Sequence, residues 1–212
     1  MTTPVPCAAN AAAQQAFLTD LAVLEAQVEA GGAVLYYADA AHPTHNTRST
    51  RAWCQVGEER PLLTVSGSER VNLNAAVNAY QPTQLLLDET SRVDAQSTRR
   101  LYERLLAAHP TAGTIYVICD KARYYKNKEL TQWLQGKPIV QVFLPPYSPN
   151  LDLIERLWKY LRQKIINTTF YRTKGQFRQA VLNFFTRLPE FEHDLVSLLT
   201  RKYHILDSQL TS

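Results

Sequence analysis

The chain has 212 residues, 45% hydrophobic and 20% charged, with 23 Lys and Arg against 19 Asp and Glu for a formal net charge of +4. That is ordinary globular composition, long enough for one domain with a full core, and it excludes a disordered or fibrous chain. No apolar run approaches the roughly 20 residues of a membrane span, and Met1-Thr2-Thr3-Pro4 lacks the basic and apolar regions of a secretory signal, so a cytoplasmic protein is expected.

Residues 1–10 read as a loose arm, after which Phe17, Leu21, Leu24 and Val28 recur at helical spacing until Gly31-Gly32 stops the helix. A strand over Ala33–Ala38 delivers Asp39, and the loop His42-Pro43-Thr44-His45-Asn46 follows. Further strands are expected over Arg51–Val56 and Leu62–Val65, with a turn at Glu58–Pro61 between them. Val71–Val77 alternates as a half-buried strand would, with a helix as the alternative. Leu85–Leu87 reads as a short strand running into Asp88-Glu89, and Asp94 caps a helix carrying Leu101, Leu105 and Leu106 up to His109-Pro110.

The strand Thr114–Cys119 delivers Asp120. A helix near Asn127–Gln135 ends at Gly136, and the buried-looking strand Ile139–Leu144 is terminated by Pro145-Pro146. From Leu151 to Leu199 the chain reads as wholly helical. Strands alternating with helices predict an α/β layer arrangement with part of the sheet parallel, and no linker divides the chain.

Asp39 and Asp120 each follow an apolar strand, whereas Glu155 sits in Leu151-Asp152-Leu153-Ile154-Glu155-Arg156-Leu157-Trp158. A sheet with that helix packed beside its edge brings all three carboxylates together, as a divalent-metal site requires. Magnesium takes hard oxygen ligands and keeps several waters, so one or two carboxylates per ion suffice. Two ions about 3.5–4 Å apart activate the attacking oxygen and stabilise the leaving oxygen of a displacement at phosphorus. At 100° per residue Ile154, Leu157, Trp158, Leu161 and Ile165 form an apolar stripe, with Asp152, Glu155, Lys159 and Arg162 on the adjoining face. Taken alone, Glu155 and Lys159 would be only an i,i+4 surface pair.

Other acids compete for the role. Asp88 resembles a strand-end carboxylate as much as Asp39 does, while Asp152 reads as an early-helix charge favoured by the macrodipole. His42 and His45 lack a third N or S ligand for zinc and read as polar loop residues near a substrate. Cys7, Cys54 and Cys119 have no paired spacing and read as buried thiols. Basic clusters begin at two of the proposed ligands. Lys121, Arg123, Lys126 and Lys128 follow Asp120, and Arg156, Lys159, Arg162 and Lys164 follow Glu155, which suits phosphate contacts. Tyr124 and Tyr125 either stack on bases or pack beside the sheet, Trp133 and Trp158 read as core, and Pro145–Pro149 fixes an extended connection.

The segment from Val142 to Trp158, with Leu144-Pro145-Pro146-Tyr147-Ser148-Pro149-Asn150-Leu151-Asp152 at its centre, closely resembles the third catalytic motif of mariner-like DDE transposases, especially the related bacterial insertion-sequence group. Val117–Tyr125 resembles the second motif, with Lys121 where Asn is commoner, and Tyr37–Thr44 resembles the first. Thirty-four residues lie between Asp120 and Glu155, the spacing of one large branch of that family.

The resemblance covers roughly Gly32 to Leu206 and implies a ribonuclease-H-like fold, a mixed central sheet flanked by helices with a helical C-terminal segment. It implies a catalytic domain over 32–206, preceded by an arm and helix over 1–31 and followed by a tail over 207–212. Asp39, Asp120 and Glu155 become the catalytic, metal-binding residues for two Mg2+ ions, with Mn2+ as a substitute. The activity is DNA cleavage and strand transfer at insertion-sequence ends, on double-stranded DNA, by a nucleoid-associated homodimer. Family members carry a helix-turn-helix region ahead of the catalytic domain, so a separate N-terminal part of that kind is an expected partner. The alternatives are a ribonuclease-H-like nuclease without strand transfer and an inactive DNA-binding remnant.

Overall fold

The computed structural model describes residues 10–46, 63, 69–167 and 169–206. The strand expected over Arg51–Val56, the turn before Leu62, the strand Leu62–Val65, all of the expected arm over 1–10 but Asn10, and Cys7 and Cys54 lie outside those residues apart from Leu63.

Five strands form one mixed sheet in the order β3-β2-β1-β4-β5. They are β1 (Ala33–Ala41), β2 (Asn72–Asn78), β3 (Leu85–Thr90), β4 (Thr114–Cys119) and β5 (Ile139–Phe143). β1, β4 and β5 are parallel neighbours, whereas β2 runs antiparallel to both β1 and β3. Because side chains alternate across a strand, β1 feeds two cores. Leu35 and Tyr37 join the face covered by α1 (Ala11–Glu29), α4 (Leu153–Leu161), α5 (Lys174–Thr186) and α6 (Glu192–Leu198). Tyr36 and Ala38 join the face covered by α2 (Ala95–Ala108) and α3 (Lys128–Leu134).

Local chemistry sets the element ends. Asn10 caps α1 by accepting from the Ala13 N–H, and the chain reverses into β1 through Gly31 and Gly32 at φ 89° and 84°, values that favour glycine. Asp94 and Ser97 form a reciprocal capping box on α2. Asn127 caps α3, and Gly136 at φ 73° follows it.

Three expectations are corrected. β1 runs on to Ala41, so Asp39 lies within the strand. β2 alternates in chemistry but is buried on both faces from Leu73 to Asn78, because helices cover both sides of the sheet's interior. β5 is an edge strand, only partly buried after Ile139.

The C-terminal region is not one helical run either. α4 passes into a π-turn over Arg162–Ile166, in which Asn167 N–H bonds the Arg162 carbonyl, and irregular chain precedes α5. After α6 the chain returns as a strap across α1 and α4. Arg156 donates to the carbonyls of Leu198, Thr200 and Lys202. Asn150 donates to His204, Tyr203 and Tyr37 join hydroxyls, and fully buried Gln14 exchanges two hydrogen bonds with Leu206.

Candidate active site

The parallel pairing of β1 with β4 puts Ala38 opposite Cys119, so the next residues, Asp39 and Asp120, come side by side on one face of the sheet. α4 crosses that face and contributes Glu155 from its first turn. Its buried stripe of Ile154, Leu157, Trp158 and Leu161 leaves Glu155 at the border of the core. A cleft of about 540 Å³ is lined by Asp39, Asp120 and Glu155, and a second of about 200 Å³ shares Asp39 and Glu155 with it.

Asp152 is a fourth carboxylate in the larger cleft. It stands at the start of α4, as expected of an early-helix charge, but as the buried N-cap at 4% exposure, with its oxygen accepting from the Ile154 N–H. A capping residue and an exposed first-turn acid look alike in a sequence; only the loop folding over Asp152 separates them.

Burial, and then the neighbouring charges of Glu155 and Asp120, push the Asp39 carboxyl from 3.8 up to about 7. Its own Ala40 backbone bond and the Trp158 indole, which donates to Asp39 Oδ2 at 3.1 Å, pull the other way. Trp158 is therefore core, as expected, and also a polar support of the site. Burial and the charges of Asp39 and Glu155 hold the Asp152 carboxyl well above the usual carboxylate range. Asp120 is oriented by accepting from the Ala122 N–H at 2.9 Å. Crowding of this kind disfavours the charged carboxylates, which a proton or a cation among them relieves.

Among the described residues, no three His, Cys, Asp or Glu side chains stand in a ready-made metal cage. The oxygen-only donor set of the cleft matches a hard ion that completes its shell with water and substrate oxygens.

The competing acids are structural. Asp88 is buried beneath Arg100, at 2.8 Å, and Arg104, and Glu89 pairs with Arg178 at 2.6 Å. The two histidines part company. His45 is buried, donates Nε2–H to the Tyr171 carbonyl and stacks on Phe177, so its expected place near a substrate is corrected. His42 lines the smaller cleft. Asn72 gives its amide N–H to the Ser91 carbonyl, so its Oδ1 accepts from His42 Nδ1, and Nε2 has no hydrogen-bond partner among the described residues.

Lys121 lines the larger cleft and Arg162 the smaller, while Arg123, Lys126, Lys128 and Lys159 are exposed. Arg156 is different: its guanidinium is engaged by the three strap carbonyls and the Tyr203 ring, which corrects its expected place among phosphate contacts. Tyr125 is fully buried, which resolves its open reading towards packing, and Tyr124 lies against it half-buried. Trp133 is only partly buried, with Lys137 and Arg99 on its ring.

Comparison with known proteins bears on the fold and the family. A relative from Shigella sonnei, described as the insertion element IS630 uncharacterized 39 kDa protein, is 25% identical over 158 residues, covering 74% of this chain and 46% of the relative. The chain thus spans about half the length of that curated relative. The Mos1 transposase paired-end complex with left transposon end superposes with a TM-score of 0.60 at 12% identity, covering 96% of this chain and 67% of that one. The Mos1 mariner paired end complex with Mg gives 0.61 at 13%, with the same coverage. These likenesses show the ribonuclease-H-like fold. Residues 34–178, which hold Asp39, Asp120, Asp152 and Glu155, match the family described as DDE superfamily endonuclease, and the chain belongs to that family.

Proposed function

We propose that residues 32–206 form the catalytic domain of an insertion-element transposase that cleaves double-stranded DNA at element ends and joins the freed 3′ end to target DNA. The observation that carries this reading is the convergence of Asp39, Asp120 and Glu155, from two parallel strands and a crossing helix, on one cleft within the family-matching segment.

Asp39, Asp120 and Glu155 would hold two divalent ions, Mg2+ or Mn2+ in its place, with Asp152 as a further acid. Such ions, when bound, polarise phosphoryl oxygen and lower the pKa of water. The chain's own residues position and exclude. Trp158 holds Asp39 by its indole N–H, Ala122 holds Asp120, and Leu157 and Ile154 seat the helix that presents Glu155. Lys121 and Arg162 stand at the two clefts, where they would bind DNA phosphate, assisted by Arg123, Lys126, Lys128 and Lys159. Phosphate contacts position DNA without reading its sequence. Selectivity for element ends therefore falls to a helix-turn-helix part outside this domain, and synapsis of two ends to a homodimer.

The test is incubation of the purified chain with Mg2+ or Mn2+ and labelled end-containing DNA. Joining supports the transposase, and nicking without joining supports the nuclease alternative. Binding alone supports the inactive remnant. Asp120→Ala is expected to lower cleavage at least 100-fold, on the scale of losing electrostatic support at a reacting centre, while DNA binding and melting temperature are largely kept. Unchanged cleavage by that variant overturns the site.

A further inference from the structure

Tyr147 lines the larger cleft beside the four carboxylates and Lys121. It is 62% exposed and makes no ring contact or hydrogen bond among the described residues. It is also the one non-glycine residue with positive φ among them, at 57°. A bulky side chain is a genuine outlier there, and such strain persists only where the surroundings over-determine it.

The surroundings do so here. Pro145, Pro146 and Pro149 fix their own φ angles. Buried Ser148 donates to the Pro146 carbonyl at 3.2 Å and accepts from the Leu151 N–H at 3.1 Å. Leu144 and Leu151, buried on either side, anchor the loop, with Leu144 N–H on the Cys119 carbonyl. A tyrosine needed for packing would be turned inward, as Tyr125 is. The loop instead holds an unpartnered aromatic face outward at the rim of the cleft.

We propose that Tyr147 is a stacking platform for an unpaired nucleobase next to the phosphodiester that the carboxylates act on. The proposal rests on the endonuclease reading above and adds the state of the DNA. In that reading the carboxyls and Lys121 serve the phosphate, so a neutral aromatic beside them is left to serve the base. Stacking tolerates any base, since every base has a π face. The cleft, at about 540 Å³, lies within the roughly 300–1,000 Å³ range of small-molecule pockets. Bases already unpaired carry the smallest unstacking cost, so DNA frayed at the cleavage position should be the preferred form. Tyr147 is in this sense a positioning residue.

The experiment uses the full chain without divalent cation and a short DNA duplex carrying one unpaired 2-aminopurine, whose fluorescence falls on stacking. Wild type and Tyr147→Phe should quench the probe. Tyr147→Ala and Tyr147→Gly should not, and should bind it about tenfold more weakly, in the range of alanine substitutions at stacking positions, with affinity for the fully paired duplex unchanged. The glycine variant relieves the positive φ, so melting no lower than wild type guards against misfolding. Equal quenching by wild type and the alanine and glycine variants, no quenching by wild type, or equal loss on both DNAs overturns the proposal. Cleavage of end-containing DNA with Mg2+ reports separately on the endonuclease reading. A chain that quenches but never nicks sinks that reading alone, and one that nicks while the variants still quench sinks the stacking alone.

Discussion

Asp39 is held in a folded environment that favours its proton. Its carboxyl, raised from 3.8 to about 7 first by burial and then by Glu155 and Asp120, binds hydrogen ion more tightly folded than unfolded. The stabilisation is therefore fully present below about pH 4 and is lost as pH rises through 7, and Asp152 adds in the same direction. Without divalent cation, the melting temperature of wild type minus that of Asp39→Asn should fall between pH 4 and 7. Added Mg2+ should flatten that slope. Trp158→Phe removes a bond that favours the charged carboxylate, so the fall should extend to higher pH. A difference independent of pH would contradict the assignment. Asp39 and Asp120 were legible as acids closing apolar strands, though Asp88 looked the same, and Glu155 stood out only through the motif resemblance. The burial of Asp152 and the Asn72–His42 pairing were not legible, because burial of a cap and the orientation of an amide depend on chain far away.

α4 shows both what periodicity conveys and what it omits. Ile154, Leu157, Trp158 and Leu161 were readable as one stripe and are all buried. The π-turn at Arg162 leaves no mark in that pattern, since it shifts one hydrogen bond by one residue. β2 misleads differently. Its polar set Asn72, Asn74 and Asn78 does alternate with Leu73, Ala75 and Val77, yet α2 covers the polar side, and the Asn74 amide is buried without a partner among the described residues. Arg156 belongs at this scale too, because it couples α4 to the strap. Arg156→Ala should destabilise by about 2–4 kcal/mol, in keeping with hydrogen bonds to a charged group, as read by urea unfolding. Glu155 would lose its neighbour's anchorage, so cleavage should fall further than DNA binding. A variant as stable as wild type would contradict the bracing role.

For the whole molecule, the alternation of strands and helices announced α/β layers and a partly parallel sheet, and both are present. The order β3-β2-β1-β4-β5 was not legible, because it is set by pairings between distant segments, above all β1 with β4 across more than seventy residues of chain. That one parallel pairing builds the sheet's centre and sets two acids beside each other, so fold and site are specified by the same contact.

Gln14 and Leu206, hydrogen-bonded to one another at opposite ends of the described chain, make the body a nearly closed loop. Its connectivity should then be rewritable. A circular permutant that joins residue 206 to residue 10 through a short linker and opens at the exposed turn at Gly136 should melt cooperatively within a few degrees of the parent, with the same circular dichroism spectrum. Any sequence-reading module then has a choice of two neighbouring attachment points on one side of the body, and grafting it to either should leave the sheet undisturbed.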